Sequence, residues 1–413
     1  MSVSIPTKAI TVYLWGHRVG ALFFGSDGYS RFQYFPDFVK RGIEIAPFEM
    51  PLSGKVYSAA DFELPRNAFW GMPGAFADSL PDSFGNKLVA EWMRRNGYSL
   101  DTITPLDRLA YIGSRGMGAL VYEPEFGPDM AQPTVMDIRT LVEEARLALN
   151  SDLSKLSGAD ALREIIRVGT SAGGAQAKAI VAWNREHDIF LSGQDNLPEG
   201  FEHWIIKFTP PELPNLGEVE YAVYEKARAA GVDMSESCLY ELDGIKHFMT
   251  RRFDRDGEKR HLVQTYCAMR HLPPGRAPVA LCRYEGLFDT IASLDMGYDA
   301  REQMFRRMVF NVLEGEHDDH TKNFSFIMQE GGRWSLAPAY DLTGRHDSVG
   351  DNAFSEWANR HALSVNGKFS SIGDADMVAV GERYGIGNAQ SILEEIKQTC
   401  ADMRYSQGKE NLL

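Results

Sequence analysis

Gly315-Glu316-His317-Asp318-Asp319-His320-Thr321-Lys322-Asn323-Phe324-Ser325-Phe326, followed by Ala337-Pro338-Ala339-Tyr340-Asp341-Leu342, is the part of the sequence on which the fold turns. Carboxylates, imidazoles and an amide crowd into one short loop, and such a cluster is costly unless it is solvated, paired or bound to metal. From Asn323 the chain alternates as a strand through Met328, turns at Gln329-Glu330-Gly331-Gly332 and returns from Arg333 to Tyr340. The pattern is that of a hairpin. A turn centred between Gly331 and Gly332 places Asn323 opposite Tyr340 and beside Asp341. An amide oxygen and a carboxylate then meet at one end of two strands, and hard oxygen ligands of this kind suit Mg²⁺.

Protein kinases place a catalytic Asp five residues before a metal-binding Asn, with a second metal-binding Asp later in the chain. Asp318 has that spacing to Asn323, and Asp319 does not. On this reading Asp318 orients or deprotonates a substrate hydroxyl, and Asn323 and Asp341 hold Mg²⁺ against the ATP phosphates. His320 fixes the loop and Tyr340 lines the nucleotide site. Two other readings stand beside it: a solvated acidic turn, and a metal-dependent phosphohydrolase, since His-Asp-Asp-His is rich in transition-metal ligands. The second lacks a matching His/Asp cluster elsewhere in the chain.

Upstream, Met304, Phe305, Met308, Val309, Val312 and Leu313 recur on one face of a buried helix. Further back, Ser171-Ala172-Gly173-Gly174-Ala175-Gln176-Ala177-Lys178 is small enough for backbone N–H groups to approach phosphate oxygens. It is neither a Walker A sequence nor a usual kinase glycine loop, so a tight structural turn explains it equally well. Lys207, within the apolar run Trp204-Ile205-Ile206-Lys207-Phe208, parallels the strand-borne lysine of kinases. Strand candidates at 203–208 and 246–253 flank this region, a helical stretch at 137–150 precedes it, and hairpin-like strands fill 9–36. The sequence predicts an α+β, two-lobed protein-kinase-like fold. An N-terminal β-rich subdomain covers 1–110, a nucleotide-covering lobe 111–255, and a helical lobe with catalytic loop and hairpin 256–413.

Composition bounds the function. The four cysteines contain no C-x-x-C pair, which speaks against a disulfide framework or a zinc ribbon. A net charge of −14 repels phosphate backbones on average, so DNA contact by this chain alone is not expected. No apolar run approaches a membrane span, and the expectation is a cytoplasmic protein with no membrane partner.

With these residues in view, the chain resembles the HipA family of bacterial toxin kinases over nearly its whole length. The matching segments are GMPGAFADSLPDSFGN (71–86), GMGALVYEP (116–124), SAGGAQAK (171–178), WIIKF (204–208), TRRFDR (250–255), DDHTKNFSF (318–326) and APAYDL (337–342). The resemblance implies serine/threonine kinase activity with ATP and Mg²⁺, and a HipB-like helix-turn-helix antitoxin that carries most of the DNA contact. It implies a protein substrate, by family analogy an aminoacyl-tRNA synthetase such as the glutamyl enzyme. By motif position Asp318 is the catalytic Asp, Asn323 and Asp341 are magnesium ligands, and Lys207 contacts ATP. Gly174 to Lys178 form part of the phosphate loop, Phe253 marks the adenine hinge, and Ser171 is the autophosphorylation site. Two residues depart from the pattern: Glu316 stands where family members often have Asn, and Arg251 where an acidic residue is common. A different class of function, a transcriptional co-regulator that has kept the fold with little kinase activity, separates from the kinase on catalysis alone.

Overall fold

The structure is a computed structural model in which residues 7–62, 66–81, 83–127, 133–149, 176–192, 197–274, 282–344 and 360–410 are described. The N-terminal run of aromatic and β-branched residues forms β1 (Ala9–Leu14), β2 (His17–Phe24), β3 (Ser30–Tyr34) and β4 (Val56–Ser58). They build an antiparallel sheet in the order β4-β3-β2-β1-β5. Its last member, β5 (Leu120–Glu123), pairs with β1. The N-terminal unit therefore runs past the expected boundary at 110, because the edge of β1 is closed only by a strand that follows helix Pro105–Ile112. One face of this sheet buries Ile10, Val12, Leu14, Leu22 and Phe32 beneath Phe76 and Leu106.

A second sheet has the order β10-β11-β9-β7-β8-β6, with β6 at Thr134–Met136, β7 at Lys178–Asn184, β8 at Ile189–Ser192, β9 at Glu202–Lys207, β10 at Ser237–Leu242 and β11 at Ile245–Arg251. Strand alternation divides β9: Trp204 and Ile206 enter an apolar core with Val181 and Met249, and Lys207 leaves on the other face. Helix Leu216–Ala229 crosses this sheet and inserts Val223 and Ala227 into the core of the helical lobe. Its approach to β11 is close. A Cβ on Gly217 would lie 2.3 Å from the Lys246 carbonyl oxygen.

Beyond a short ribbon, β12 (Arg255–Asp256) with β13 (Lys259–Arg260), a third sheet joins β14 (Leu262–Thr265), β15 (Ser325–Gln329) and β16 (Arg333–Leu336). The expected hairpin is β15–β16, but Gln329 pairs with Arg333 and Phe326 with Leu336. This register is one residue off the predicted one, since three residues rather than two close the turn. Gly331 and Gly332 take φ of +124° and +80°, which only glycine adopts without strain. Helix Tyr298–Glu314 leads into the loop at 315–323, with Met304, Phe305, Met308 and Val309 fully buried as the periodicity predicts.

The N-terminal unit grips this hairpin sheet directly. The Asp78 carboxylate accepts from the Thr265 backbone N–H at 2.7 Å and from its hydroxyl at 3.0 Å. Gly74 N–H donates to His271 Nε2 at 3.0 Å, and the Trp334 indole donates to the Glu44 carbonyl at 3.2 Å.

Candidate active site

Two lysines and two acidic groups converge where the lobes meet. Lys178 and Lys207 are directly opposed on β7 and β9, both buried. Lys207 Nζ donates to carboxylate oxygens of both Glu220 and Asp341. Glu220 projects from helix Leu216–Ala229, and Asp341 follows β16. Burial alone would lower the Lys207 ammonium, but the two carboxylates reverse the effect and hold it well above the usual lysine range. Burial likewise works against ionised Asp341, and Lys207 with Lys178 overcomes it, keeping this carboxyl far below the ordinary range. Asp341 takes φ of +56°, a left-handed conformation that costs a non-glycine residue on the order of 1 kcal/mol. Strain of this kind is held where the surroundings require it. Here the requirement is the carboxylate's reach to Lys207.

Across from this triad stands the loop after helix Tyr298–Glu314. Gly315, at φ +65°, ends the helix and turns the chain. Asp318 is exposed, whereas Asp319 is fully buried and accepts from Tyr284 Oη at 2.8 Å and the Ala362 backbone N–H at 2.6 Å, with His361 Nδ1 at 2.9 Å. The two neighbours thus differ in setting: Asp319 staples the loop to the helical lobe, whereas the Asp318 carboxylate lies at the surface near His320. Asn323 donates its amide to the Asp318 carbonyl oxygen at 2.9 Å, which frees its Oδ1 as an acceptor. His320 accepts from the Lys322 backbone N–H at 3.3 Å, and its Nε2 lies 4.0 Å from Asp318 Oδ2.

Asp318, Asn323, Tyr340 and Asp341 line one small cleft of about 10 Å³ together with Glu316, Asp319 and Arg307. The slipped hairpin register still brings Asn323 and Asp341 to it, because Asn323 lies before β15 begins and Asp341 after β16 has ended. Among the described residues no group of three or more His, Cys, Asp or Glu side chains is arranged to hold a metal. The oxygen set present, one amide and carboxylates, fits Mg²⁺, which binds through one or two carboxylates and completes its shell with water and phosphate.

Tyr340 stacks on Phe253 with ring centroids 5.7 Å apart, and its hydroxyl donates to the Lys322 carbonyl at 2.6 Å. The two aromatic residues expected at the nucleotide site thus meet each other. Gln176 donates to the Phe208 carbonyl at 3.2 Å. Ser171, Gly173, Gly174 and Ala175 lie outside the described residues. Arg251, the second departure, forms an ion pair with Glu202 at 3.0 Å.

Two residues have contacts that the sequence reading does not assign: Glu220, and Glu316, which it notes only as a departure from the family pattern. Glu220 shares the stripe of Val223, Tyr224 and Ala227, so an acidic residue within an apolar helical face was the available signal. Glu316 is 2% exposed. Its Oε1 accepts from the Asp318 N–H at 3.0 Å, and its Oε2 accepts from the N–H groups of Thr343 at 2.6 Å and Gly344 at 2.8 Å. Burial pushes this carboxyl up to about 7 against the pull of those N–H groups.

Comparison with known proteins gives the family and the fold. Residues 170–404 match the family model described as the HipA-like C-terminal domain, and residues 10–123 match the HipA N-terminal domain. This chain belongs to the HipA family. A putative kinase of Haemophilus influenzae is 30% identical over 186 residues, covering 42% of this chain and 52% of that protein. The serine/threonine-protein kinase toxin HipA of Shewanella oneidensis is 24% identical over 260 residues, covering 56% and 57%. The chain thus spans a little over half the length of these HipA-like relatives. Among solved structures, a chain of the Shewanella oneidensis MR-1 toxin–antitoxin complex of HipA, HipB and operator DNA superposes with a TM-score of 0.67. At 19% identity, over 96% of this chain and 91% of that one, the likeness shows a shared α+β HipA fold. No helix among the described residues is long and apolar enough to cross a membrane.

Proposed function

We propose that this chain is a toxin-type serine/threonine kinase that transfers the γ-phosphoryl group of ATP to a protein hydroxyl. The observation that carries the reading is the buried Lys207, held between Glu220 of a crossing helix and Asp341 of the opposite lobe. In protein kinases a strand lysine pairs with a helix glutamate, and a later Asp binds magnesium. All three parts recur here, facing a loop whose Asp and Asn have the kinase spacing.

In this mechanism Lys207 and Lys178 hold the nucleotide phosphates, while Phe253 and Tyr340 border the base. Asn323 and Asp341 would hold Mg²⁺, which supplies charge neutralisation at the phosphate oxygens. Exposed Asp318 orients the acceptor hydroxyl and takes its proton as oxygen attacks phosphorus and ADP leaves. His320 steadies the loop. A phosphate added at Ser171 would repel the ATP phosphates from the neighbouring glycine segment, giving self-inactivation. The HipA–HipB–operator complex of the structural neighbour supports a helix-turn-helix antitoxin as partner, with DNA contacted mainly through it. Family analogy supports an aminoacyl-tRNA synthetase as substrate.

Expression of the chain alone should arrest bacterial growth, and Asp318→Ala should abolish the arrest. Phosphopeptide mapping of protein incubated with Mg²⁺ and ATP should find Ser171 modified. Folded wild-type protein without nucleotide turnover would overturn the kinase, and unchanged operator repression in Asp318→Asn would then favour the co-regulator.

A further inference from the structure

Asp318 and Asp341 belong to different segments, which the β15–β16 hairpin and the Tyr340 hydroxyl, donating to the Lys322 carbonyl at 2.6 Å, join at the Asn323 end, with a gap at the Asp318 end. Glu316 spans that gap. Its backbone N–H donates to the Asn311 carbonyl at 2.9 Å, which roots it on the end of helix Tyr298–Glu314. Oε1 then accepts from the Asp318 N–H, while Oε2 accepts from the Thr343 and Gly344 N–H groups and lies 3.3 Å from the Thr343 hydroxyl. Four donors on two oxygens leave no place for an amide NH₂. The Asp318 peptide is gripped on both sides, since its carbonyl accepts from the Asn323 side chain and the His320 N–H.

We propose that Glu316 is a positioning residue that ties the loop carrying Asp318 and Asn323 to the segment carrying Asp341, fixing the separation of the proposed base and metal ligands. The inference rests on the kinase reading for its catalytic consequence and on the hydrogen bonds alone for the tie. Swinging Asp341 away from Lys207 would carry Thr343 and Gly344 with it and strand a buried carboxylate with three of its four donors removed. The tie therefore favours the inward Asp341 conformation. An asparagine or glutamine offers one acceptor oxygen and can satisfy only one of the two segments.

The test compares full-length wild type with Glu316→Gln by hydrogen exchange of the 315–323 and 341–344 segments and by steady-state kinetics. Glutamine keeps the volume, so a space-filling role would leave both readouts unchanged. The tie predicts exchange at least about tenfold faster in one of the two segments. It predicts kcat lower by about ten- to a hundredfold, the penalty of a displaced catalytic group, with KM for ATP preserved. If Glu316→Gln fails to fold, Glu316→Ala, which sets no donor against a donor, should speed exchange in both segments. Unchanged exchange in both segments overturns the tie. A wild type without phosphotransfer overturns the kinase reading instead, while the exchange comparison still decides the tie.

Discussion

Asp318 and Asp319 are adjacent and chemically identical, and their surroundings give them opposite tasks. Asp319 is buried among a tyrosine hydroxyl, an imidazole and a backbone N–H. Asp319→Ala is expected to destabilise the protein by on the order of 3 kcal/mol, because buried donors lose their acceptor. Asp318→Ala should leave the denaturation midpoint in place and remove phosphotransfer, so urea melts and an activity assay on the two variants separate the roles. Lys207 gives a second contrast. Lys207→Met leaves Glu220 buried beside Asp341 without its hydrogen-bonded cation, with Lys178 the remaining positive charge acting on the pair, which costs about 3 kcal/mol at pH 8. At pH 5 the loss should shrink, since burial already raises the Glu220 carboxyl and protonation relieves it. Equal losses at both pH values would show that the charge is not what matters.

Among the elements, helix Leu216–Ala229 decides whether Glu220 reaches Lys207. Gly217 lets it lie against β11, where an added Cβ would meet the Lys246 carbonyl at 2.3 Å and the Phe248 nitrogen at 3.1 Å. Gly217→Ala should therefore lift the helix, lower kcat/KM about tenfold or more and lower stability by roughly 1–3 kcal/mol, as overpacking does. The junction between the N-terminal unit and the helical lobe has its own signature. His271, between Phe62 and Phe69, accepts from Gly74 N–H through a neutral imidazole that burial pulls down to about 4. Its folded pKa lies below its unfolded one, so its contribution is present above about pH 6.5 and is lost as pH falls through about 4. Melting temperature should drop over that window, and His271→Gln should flatten the drop relative to wild type. Much of this architecture was legible beforehand, because periodicity reports burial directly: the strands of 9–34, the helix through Met304 and Val309, and the β15–β16 hairpin all lie where alternation and spacing put them. The hairpin register was not legible, since two adjacent glycines fit either a two- or a three-residue turn. The contacts of Glu220 and Glu316 were not, because they depend on tertiary partners that no local spacing marks: Lys207 on another element for Glu220, and Thr343 and Gly344 for Glu316.

At the scale of the whole molecule, the proposed active site is assembled from parts that no single unit supplies. The second sheet contributes Lys178 and Lys207, a crossing helix contributes Glu220, and the helical lobe contributes the loop of Asp318 and the strained Asp341. The N-terminal unit holds β14, whose neighbour β15 follows Asn323, through Asp78. Within a chain of net charge −14, the two buried lysines supply the cations of the proposed phosphate site, balanced in this structure by Glu220 and Asp341. The motifs read from the sequence and the units of the fold meet at the proposed site, to which each of these units contributes a residue or a support.

The most direct measurement is ADP formation and phosphoprotein labelling by the purified chain with γ-labelled ATP, with and without Mg²⁺, comparing wild type, Asp318→Ala and Asp341→Asn. Magnesium-dependent transfer is predicted for wild type alone, with nucleotide binding retained in Asp318→Ala. Transfer that is independent of Mg²⁺, or that survives loss of either carboxylate, would contradict the account.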